Sequence, residues 1–160
     1  MNVQAISLLL LGVALTAMGC KDDGCAMEGD ITAGCGLMVD GEPLRLGDTL
    51  DLLTEEHGAP TLLDLGASGT RFDLSSAGIA GFCSPDDDTV TSLMAAEEYA
   101  GTTEDGLGVG STAQDVTDSL GAGQAAPYLE GAWYTSLGIG FEITDGAVTK
   151  VHVSSTPSGS

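Results

Sequence analysis

Positive charge is scarce in this sequence, and so are aromatic side chains. Only four Lys and Arg residues accompany 24 Asp and Glu residues, which gives a formal net charge of −20 over 160 residues. Nucleic acids and anionic lipid headgroups are bound through Lys and Arg, so partners of these two kinds are excluded. The acidic residues are spread along the chain and form no tail, which favours a role in solubility over the capture of a basic partner.

Histidine is also scarce, because the chain has only two. His57 is expected at the end of a helix or at the edge of the core, and His152 on the solvent-exposed face of a strand. A thiolate nucleophile needs a nearby base, so Cys83 and His57 are the one conceivable pair for a small hydrolase. No motif supports that pair. We therefore expect no enzyme activity and no cofactor.

The spacing of the acidic residues provides no metal-binding motif. Calcium takes several oxygen ligands, and an EF-hand-like loop spaces its acids alternately and ends in Glu. The run Asp86-Asp87-Asp88 does neither and follows Pro85, so it predicts a solvated turn and no metal site. An acidic calcium- or cation-binding surface protein remains an alternative function.

The first 19 residues have the composition of a secretory signal peptide. An apolar run extends from Val3 to Gly19, closes on small residues and turns polar at Lys21. A membrane-spanning helix needs roughly 20 apolar residues, so the run is slightly short for an uncleaved anchor. Residues 1–19 are therefore predicted to be removed after export.

The end of this segment, Ala17-Met18-Gly19-Cys20, resembles the signal of bacterial lipoproteins. The resemblance implies that Cys20 receives a diacylglycerol, that the chain is cut before it, and that the new amine is acylated. Lys21 in the next position implies sorting to the outer membrane. Ala17-x-Gly19 also fits an ordinary secretory cleavage site, which leaves a secreted or periplasmic protein as the alternative.

The four cysteines are expected in an oxidising compartment. If Cys20 carries lipid, three cysteines remain. Cys25 and Cys35 bracket a short, Gly-punctuated loop, which favours a disulfide between them and leaves Cys83 as a buried thiol. The alternative is a Cys35–Cys83 bridge.

Two stretches of the chain share one pattern. They are GDTLDLLTEEHG, residues 47–58, and GSTAQDVTDSLG, residues 110–121. Each predicts a short helix, with Asp48 and Ser111 as the N-caps, and with a capping box between Ser111 and Gln114. The closing glycine of each stretch supplies the left-handed residue that ends a helix.

The similarity continues after the helices. Residues 76–82 resemble residues 136–141 with one extra residue, and residues 87–95 align with residues 145–153 without a gap. Asp145-Gly146 between alternating segments is a strong hairpin signal, so two antiparallel strands are predicted to end each unit. An aromatic residue marks one earlier strand in each unit, namely Phe72 and Tyr134.

These patterns predict an α+β fold, a tandem repeat of a short helix plus antiparallel strands that share one sheet or core. Neither unit could bury one face of a sheet alone. The predicted segments are the signal peptide (1–19), an anchor-proximal Cys- and Gly-rich segment (20–43), repeat 1 (44–100), repeat 2 (101–154) and a loose tail (155–160).

The patterns Leu46-Gly47-x-Thr49…Gly58-x-Pro60 and Val109-Gly110-x-Thr112…Gly121 resemble the small outer-membrane lipoproteins of the SmpA/OmlA type. The tandem form is similar to the β-lactamase-inhibitory-protein family, which is built from two such units. The resemblance covers residues 44–153. It implies a protein that binds other proteins or supports envelope assembly, and it places no partner-contacting residue.

One aromatic cluster, Tyr128 with Trp133 and Tyr134, is the best candidate for a partner-binding site if it is partly exposed, and core packing is its other interpretation. The sequence as a whole predicts a lipid-anchored cell-envelope protein that acts by protein binding or structural support. Its expected partners are the membrane, through lipid on Cys20, and another protein.

Overall fold

The computed structural model of the chain describes residues 25–126 and 129–155. In this part of the chain, strands account for 44% of the residues and helices for 17%. The strands are β1 (Ile31–Thr32), β2 (Gly36–Val39), β3 (Glu42–Arg45), β4 (Thr61–Asp64), β5 (Thr70–Leu74), β6 (Ile79–Cys83), β7 (Val90–Ala95), β8 (Gln124–Ala126), β9 (Leu129–Tyr134), β10 (Ile139–Thr144) and β11 (Ala147–Ser154). The α-helices are α1 (Leu50–His57) and α2 (Ala113–Leu120).

The predicted fold class, an α+β tandem repeat, is wrong, because the protein is a β-rich fold built mostly of antiparallel sheet. The prediction gave the two helices too much weight. Each has only eight residues. Residues 61–64 and 124–126, which the sequence pattern left outside the strands, extend the sheet instead of forming loops.

The strands form two sheets. The larger one has eight antiparallel strands in the order β4-β5-β6-β7-β11-β10-β9-β8, and the smaller one has the order β1-β2-β3. The order of the larger sheet places β4–β7 on one side and β8–β11 on the other, joined through the pairing of β7 with β11. We refer to α1 with β4–β7 as the first half and to α2 with β8–β11 as the second half.

A single core lies on one face of the larger sheet. Leu53 of α1 and Val116 of α2 are fully buried there against inward side chains of the strands, such as Phe72 and Phe141. Leu37 of β2 belongs to the same buried cluster, so the smaller sheet covers this face together with the helices. Side chains alternate along a strand, and the opposite face of the sheet therefore carries a different set of residues.

Both helices begin one residue later than the sequence pattern predicts. Thr49 and Thr112 are the N-caps, so the prediction of Asp48 and Ser111 is wrong. Asp48 Oδ2 instead accepts the Arg45 amide N–H at 2.7 Å. Ser111 Oγ accepts the amide N–H of the residue three positions earlier at 3.0 Å. Both side chains therefore stabilise the turn before the helix.

The capping box of α2 also involves a different pair. Thr112 and Asp115 form it, and Gln114 donates to the Asp118 side chain at 2.6 Å instead. The closing glycines of both helices have positive φ, as predicted, but their ψ is extended and not left-handed helical. Each cap amide still bonds to a carbonyl of the last helical turn.

The predicted hairpins are confirmed in both halves. β6 pairs with β7, and β10 pairs with β11, antiparallel in each case. Asp145 and Gly146 both have positive φ, which is typical of the type I′ turn that matches strand twist. Phe72 and Tyr134 lie on β5 and β9, as predicted.

A disulfide joins Cys25 to Cys35, with 5.8 Å between their Cα atoms, as predicted. Cys83 is a buried free thiol, so the alternative Cys35–Cys83 bridge is wrong. Tyr99 helps to attach the disulfide segment to the rest of the fold, because its hydroxyl shares its one proton between the carbonyl oxygens of Asp30 and Met38, which lie 2.8 and 2.9 Å away. Cys20 and the predicted signal peptide lie outside the described residues.

Candidate functional site: the open face of the sheet

The face of the larger sheet that points away from the helices carries aromatic side chains and paired charges, unlike the mostly acidic chain as a whole. We call it the open face and define it by the outward positions of β5, β6, β7, β11, β10 and β9. These positions alternate with the buried core residues of the same strands. Its residues are Arg71, Asp73, Ala80, Phe82, Ser92, Met94, Lys150, His152, Ser154, Gly140, Glu142, Gly131 and Trp133.

The strand registers align one residue of each strand in a row across this face. Adjacent members of the row are direct cross-strand partners, so their side chains are neighbours. The row runs Asp73, Ala80, Met94, His152, Gly140, Trp133. It crosses the junction of the halves between Met94 and His152, so residues from both halves contribute to one continuous surface.

The open face is electrically neutral, in contrast to the chain as a whole. It carries two basic and two acidic side chains, and each basic one lies beside an acid. Arg71 is 3.9 Å from Asp73, and Lys150 is 2.8 Å from Glu142. The net charge of −20 therefore lies entirely outside this face.

Glu142 is the centre of a hydrogen-bonded group on β10 and β11. Its carboxylate accepts from Lys150 Nζ at 2.8 Å and lies 3.0 Å from His152 Nε2. Burial raises the pKa of Glu142, but the hydrogen bonds and charges of these two partners outweigh burial and hold the pKa below its ordinary value. Burial lowers the pKa of His152, and the Lys150 charge adds to that effect against the opposing effect of Glu142. At neutral pH the group therefore holds an ionised Glu142 and a neutral imidazole.

The Trp133 ring lies over Gly140 of β10, which has no side chain to fill that space. A Cβ on Gly140 would collide with the Trp133 ring. The ring centroid is 5.0 Å from that of His152, at an interplanar angle of 47°. Trp133 Nε1 is buried without a hydrogen-bond partner in the described part of the chain, and an unmet donor costs about 1–3 kcal/mol.

Tyr134, the neighbour of Trp133, points to the opposite face. Its side chain is buried, its hydroxyl donates to the Gly121 carbonyl at 2.7 Å, and its ring meets Phe141 edge-on. Tyr134 therefore agrees with the core-packing interpretation, and it does not form one cluster with Trp133, because consecutive strand residues point to opposite faces. Tyr128 lies outside the described residues.

One further expectation about the open face needs correction, and one exposed residue of this face was missed. His152 is not a solvent-exposed strand residue, since its side chain is 23% exposed and bonded to Glu142. Phe82, which is 40% exposed on this face, was not expected there at all. The alternation of β6 was the signal for it, because Ile79 and Cys83 are buried and Phe82 has the opposite parity.

The residues considered for catalysis do not form an activated nucleophile. Burial, with an added contribution from Asp88, raises the pKa of the Cys83 thiol and opposes formation of a thiolate. His57 is the last residue of α1, the predicted helix-end position.

The acidic run after Pro85 forms a turn. Asp87 accepts from the Thr89 hydroxyl at 2.8 Å, and hydrogen bonds from Thr89 and then Ser84 lower the pKa of Asp87. Within residues 25–126 and 129–155, no group of three or more His, Cys, Asp or Glu side chains is arranged to hold a metal ion.

Comparison of the chain with protein-family models, with curated proteins and with solved structures finds no match. In the part of the chain that the structure describes, no helix is both long and apolar enough to cross a membrane.

Proposed function

We propose that this protein is a lipid-anchored protein of the bacterial cell envelope that binds another protein through the open face of its sheet. The anchor is lipid on Cys20, and the outer membrane is the proposed location. The lipoprotein-like segment Ala17-Met18-Gly19-Cys20 supports the anchor. The resemblance of residues 44–153 to SmpA/OmlA-type lipoproteins and to the β-lactamase-inhibitory-protein family supports binding or a supporting role in the envelope.

The composition of the open face is the observation that carries the binding proposal. Protein interfaces are depleted of uncompensated charge at their centre and enriched in aromatic residues, Met and Arg. The open face combines Trp133, Phe82, Met94 and Arg71 on a neutral surface. Trp and Arg are also the residues that dominate binding energy where interfaces have been scanned with alanine.

The charge around the open face indicates the chemistry of the partner. A neutral, partly aromatic surface on a chain of charge −20 favours a partner with an apolar contact patch and basic residues at its edge. Such charges speed association and discriminate against acidic proteins, while the apolar centre supplies most of the affinity. Binding should therefore weaken as salt rises, through a slower association rate.

Affinity capture from solubilised membranes tests the binding proposal, with three matched baits. Wild type should retain a partner that Trp133→Ala loses. Leu137→Ala should retain it as well, because Leu137 is an exposed leucine in the turn between β9 and β10 and lies off the open face. If Trp133→Ala and Leu137→Ala capture the same proteins as wild type, the open face is not the binding site.

Intact-mass analysis tests the anchor independently of any partner. The protein isolated from membranes should begin at Cys20 and carry the mass of three acyl chains with glycerol. Cys20→Ser should move the protein to the soluble fraction, because a single buried methylene contributes about 0.8 kcal/mol and three chains hold firmly. An unmodified Cys20 in the wild-type protein would rule out the lipid anchor.

A further inference from the structure

A small apolar pocket lies where the smaller sheet meets the second half of the larger one. Its volume is about 150 Å³, and its floor is formed by Ile31, Leu107 and Ile139, which are all buried. Leu120, the last residue of α2, lines it as well and is partly buried. An apolar cavity of this volume has room for a ring or chain of about six carbon atoms. The pocket can therefore hold a short apolar group.

Three acidic side chains line the same pocket and are exposed at its mouth. They are Glu28, Glu104 and Asp105, and neither Lys nor Arg lines the pocket. The ion pairs of the described residues involve Asp73 and Glu142 and none of these three acids. Three uncompensated carboxylates thus surround the entrance to an apolar floor, and this arrangement is complementary to a cation that carries an apolar group.

Backbone hydrogen bonds hold two of these acids in place. The Thr103 amide donates to the Leu107 carbonyl at 2.8 Å, and the Gly106 amide donates to the Thr103 carbonyl at 2.9 Å. These bonds form a tight turn, and Glu104 and Asp105 lie within it. Their position beside the buried Leu107 therefore follows from the backbone and needs no ligand.

The opposite wall belongs to the loop that the disulfide closes. Glu28 and Ile31 lie between Cys25 and Cys35, which are bonded to each other. The Ile31 amide also donates to the Thr102 carbonyl at 2.9 Å, and this bond joins the loop to the start of the acidic turn. Both walls are thus fixed before a ligand arrives, which reduces the entropy lost on binding.

We propose that this pocket binds a small amphiphilic amine, with the apolar part on the floor and the ammonium group among the three carboxylates. A lysine side chain has the opposite polarity, because its ammonium group is at the tip and would enter the apolar floor first, where a cation has no partner. A carboxylate or phosphate ligand would be repelled at the mouth. The pocket shares no residue with the open face, so its ligand is independent of the proposed protein partner.

Titration with three ligands of equal chain length tests the charge preference. The purified protein carries Cys20→Ser, so that no attached lipid takes up the ligands, and NMR follows the amides of Ile31, Leu107 and Ile139. Hexylammonium should bind about tenfold more tightly than hexanol, because it alone is attracted by the carboxylates. Hexanoate should not bind. The preference for hexylammonium should shrink in 1 M salt, where the Debye length is about 3 Å.

A pair of isosteric substitutions tests the role of the acidic turn. Glu104→Gln combined with Asp105→Asn should remove most of the preference for hexylammonium and leave the affinity for hexanol unchanged. Glu55→Gln combined with Glu56→Gln is the matched control, because it removes the same charge at two adjacent exposed positions of α1. This control should retain the full preference, which separates the local carboxylates from the net charge of −20.

A series of alkylammonium ions tests the apolar floor. From butylammonium to hexylammonium the affinity should rise about two- to fourfold for each added methylene, because each one is removed from water. Octylammonium should gain little more, since a chain of about six carbons already fills the volume. Equal affinities for butylammonium and hexylammonium would show that the floor takes no part in binding.

Three further results would overturn the proposal. The first is that hexylammonium does not bind or binds no better than hexanol. The second is that the amide shifts lie away from the pocket, and the third is that the control pair at Glu55 and Glu56 reduces the preference as much as the pair at Glu104 and Asp105. Failure of the open-face proposal would look different, because Trp133→Ala should lose the protein partner and still bind hexylammonium.

Discussion

The two halves of the larger sheet have the same order of elements but fill their two faces with different residues. Gly47 N–H donates to the Val90 carbonyl in the first half, and Gly110 N–H donates to the Val148 carbonyl in the second, each at 2.8 Å. The helices are therefore attached to the hairpins in the same way. The halves differ in which of two neighbouring strands carries the large side chain at matching positions of each face. On the outward face this difference determines where a binding surface can form.

The inward face shows an exchange of large and small residues. Phe72 of β5 faces Gly81 of β6 in the first half, and a Cβ on Gly81 would collide with the Phe72 ring. In the second half Ala132 of β9 faces Phe141 of β10. Each half thus fills the same part of the core with one phenylalanine, supplied by neighbouring strands, so the total volume is kept.

The outward face is not balanced in this way. The first half carries Asp73 opposite Ala80, and the second half carries Trp133 opposite Gly140. The centre of the first half has Met94 where the second half has His152, and these two residues are paired. Trp133 and the hydrogen-bonded group around Glu142 therefore belong to the second half, while the first half contributes Phe82, Met94 and the Arg71–Asp73 pair.

The largest effect should come from removing either of the two exchanged phenylalanines. Phe72→Ala and Phe141→Ala each remove a fully buried ring and should reduce the free energy of unfolding by about 3–5 kcal/mol. Because β7 pairs with β11 and the halves share one core, both variants should lower a single cooperative transition. Calorimetry that showed one half melting separately from the other would break the comparison by making the halves independent domains.

The next effect concerns the space that Gly140 leaves for Trp133. Gly140→Ala introduces the residue that stands at the matching position of the first half, Ala80, and should destabilise the protein by about 1–3 kcal/mol through overpacking. The chain has one tryptophan, so its fluorescence reports on this position alone. We expect Trp133 emission to shift toward that of an exposed indole.

The control for this effect is the same change without the ring. In a Trp133→Ala background, Gly140→Ala should be nearly neutral, because the three atoms nearest to its Cβ all belong to the Trp133 ring. An equal cost in both backgrounds would show that Gly140 is required for the strand itself and not for the placement of Trp133.

The pH dependence of stability should have a contribution from the second half, because His152 and Glu142 on its part of the open face have shifted pKa values. The pKa values of His152 and Glu142 are both lowered in the folded protein. The unfolded chain therefore binds more protons in acid, and these groups lose their contribution to stability as pH falls below about 6.5 for His and then below about 4.3 for Glu. The slope from each group is at most about 1.4 kcal/mol per pH unit.

His152→Met tests this expectation, since it installs the residue that the first half has at the same position. Chemical denaturation between pH 7.5 and 5.5 should show a shallower loss of stability than in wild type. If the two pH profiles coincide, His152 titrates in the folded protein as it does in the unfolded chain.

The sequence predicted individual helices, a hairpin and the disulfide better than it predicted the fold class. The two helices, the Asp145-Gly146 hairpin and the Cys25–Cys35 disulfide depend on neighbours close in the chain, and their signals were readable. The fold class was wrong because edge strands such as β4 depend on pairing with a distant partner more than on their own pattern. Whether the halves descend from one repeated unit stays a prediction.

The open face was missed for a more specific reason. The sequence comparison placed Phe82 over Phe141, but Ile79 and Ile139 occupy matching places beside β7 and β11, which puts Gly81 over Phe141. Side chains alternate with a period of two, so an error of one residue assigns a side chain to the wrong face. Phe82 then looks like a core residue, although it is exposed.

The smallest difference lies in the helix caps. The Thr49 side chain accepts the Leu52 amide at 3.3 Å, whereas the Thr112 side chain takes part in a reciprocal box with Asp115. Hydrogen bonds from Thr112 lower the pKa of Asp115, which is typical of a carboxylate held at the start of a helix. Thr112→Ala should therefore reduce the free energy of unfolding by about 1–2 kcal/mol, and Thr49→Ala by about 0.5–1 kcal/mol. Urea denaturation of both variants at pH 7 measures the difference, and Thr112→Ser is the control because it keeps the accepting oxygen. Equal losses for the two alanine variants would mean that the reciprocal bond of Asp115 adds nothing to the cap. A larger loss at Thr49 would mean that the first half, despite its weaker cap, depends more on its helix than the second half does.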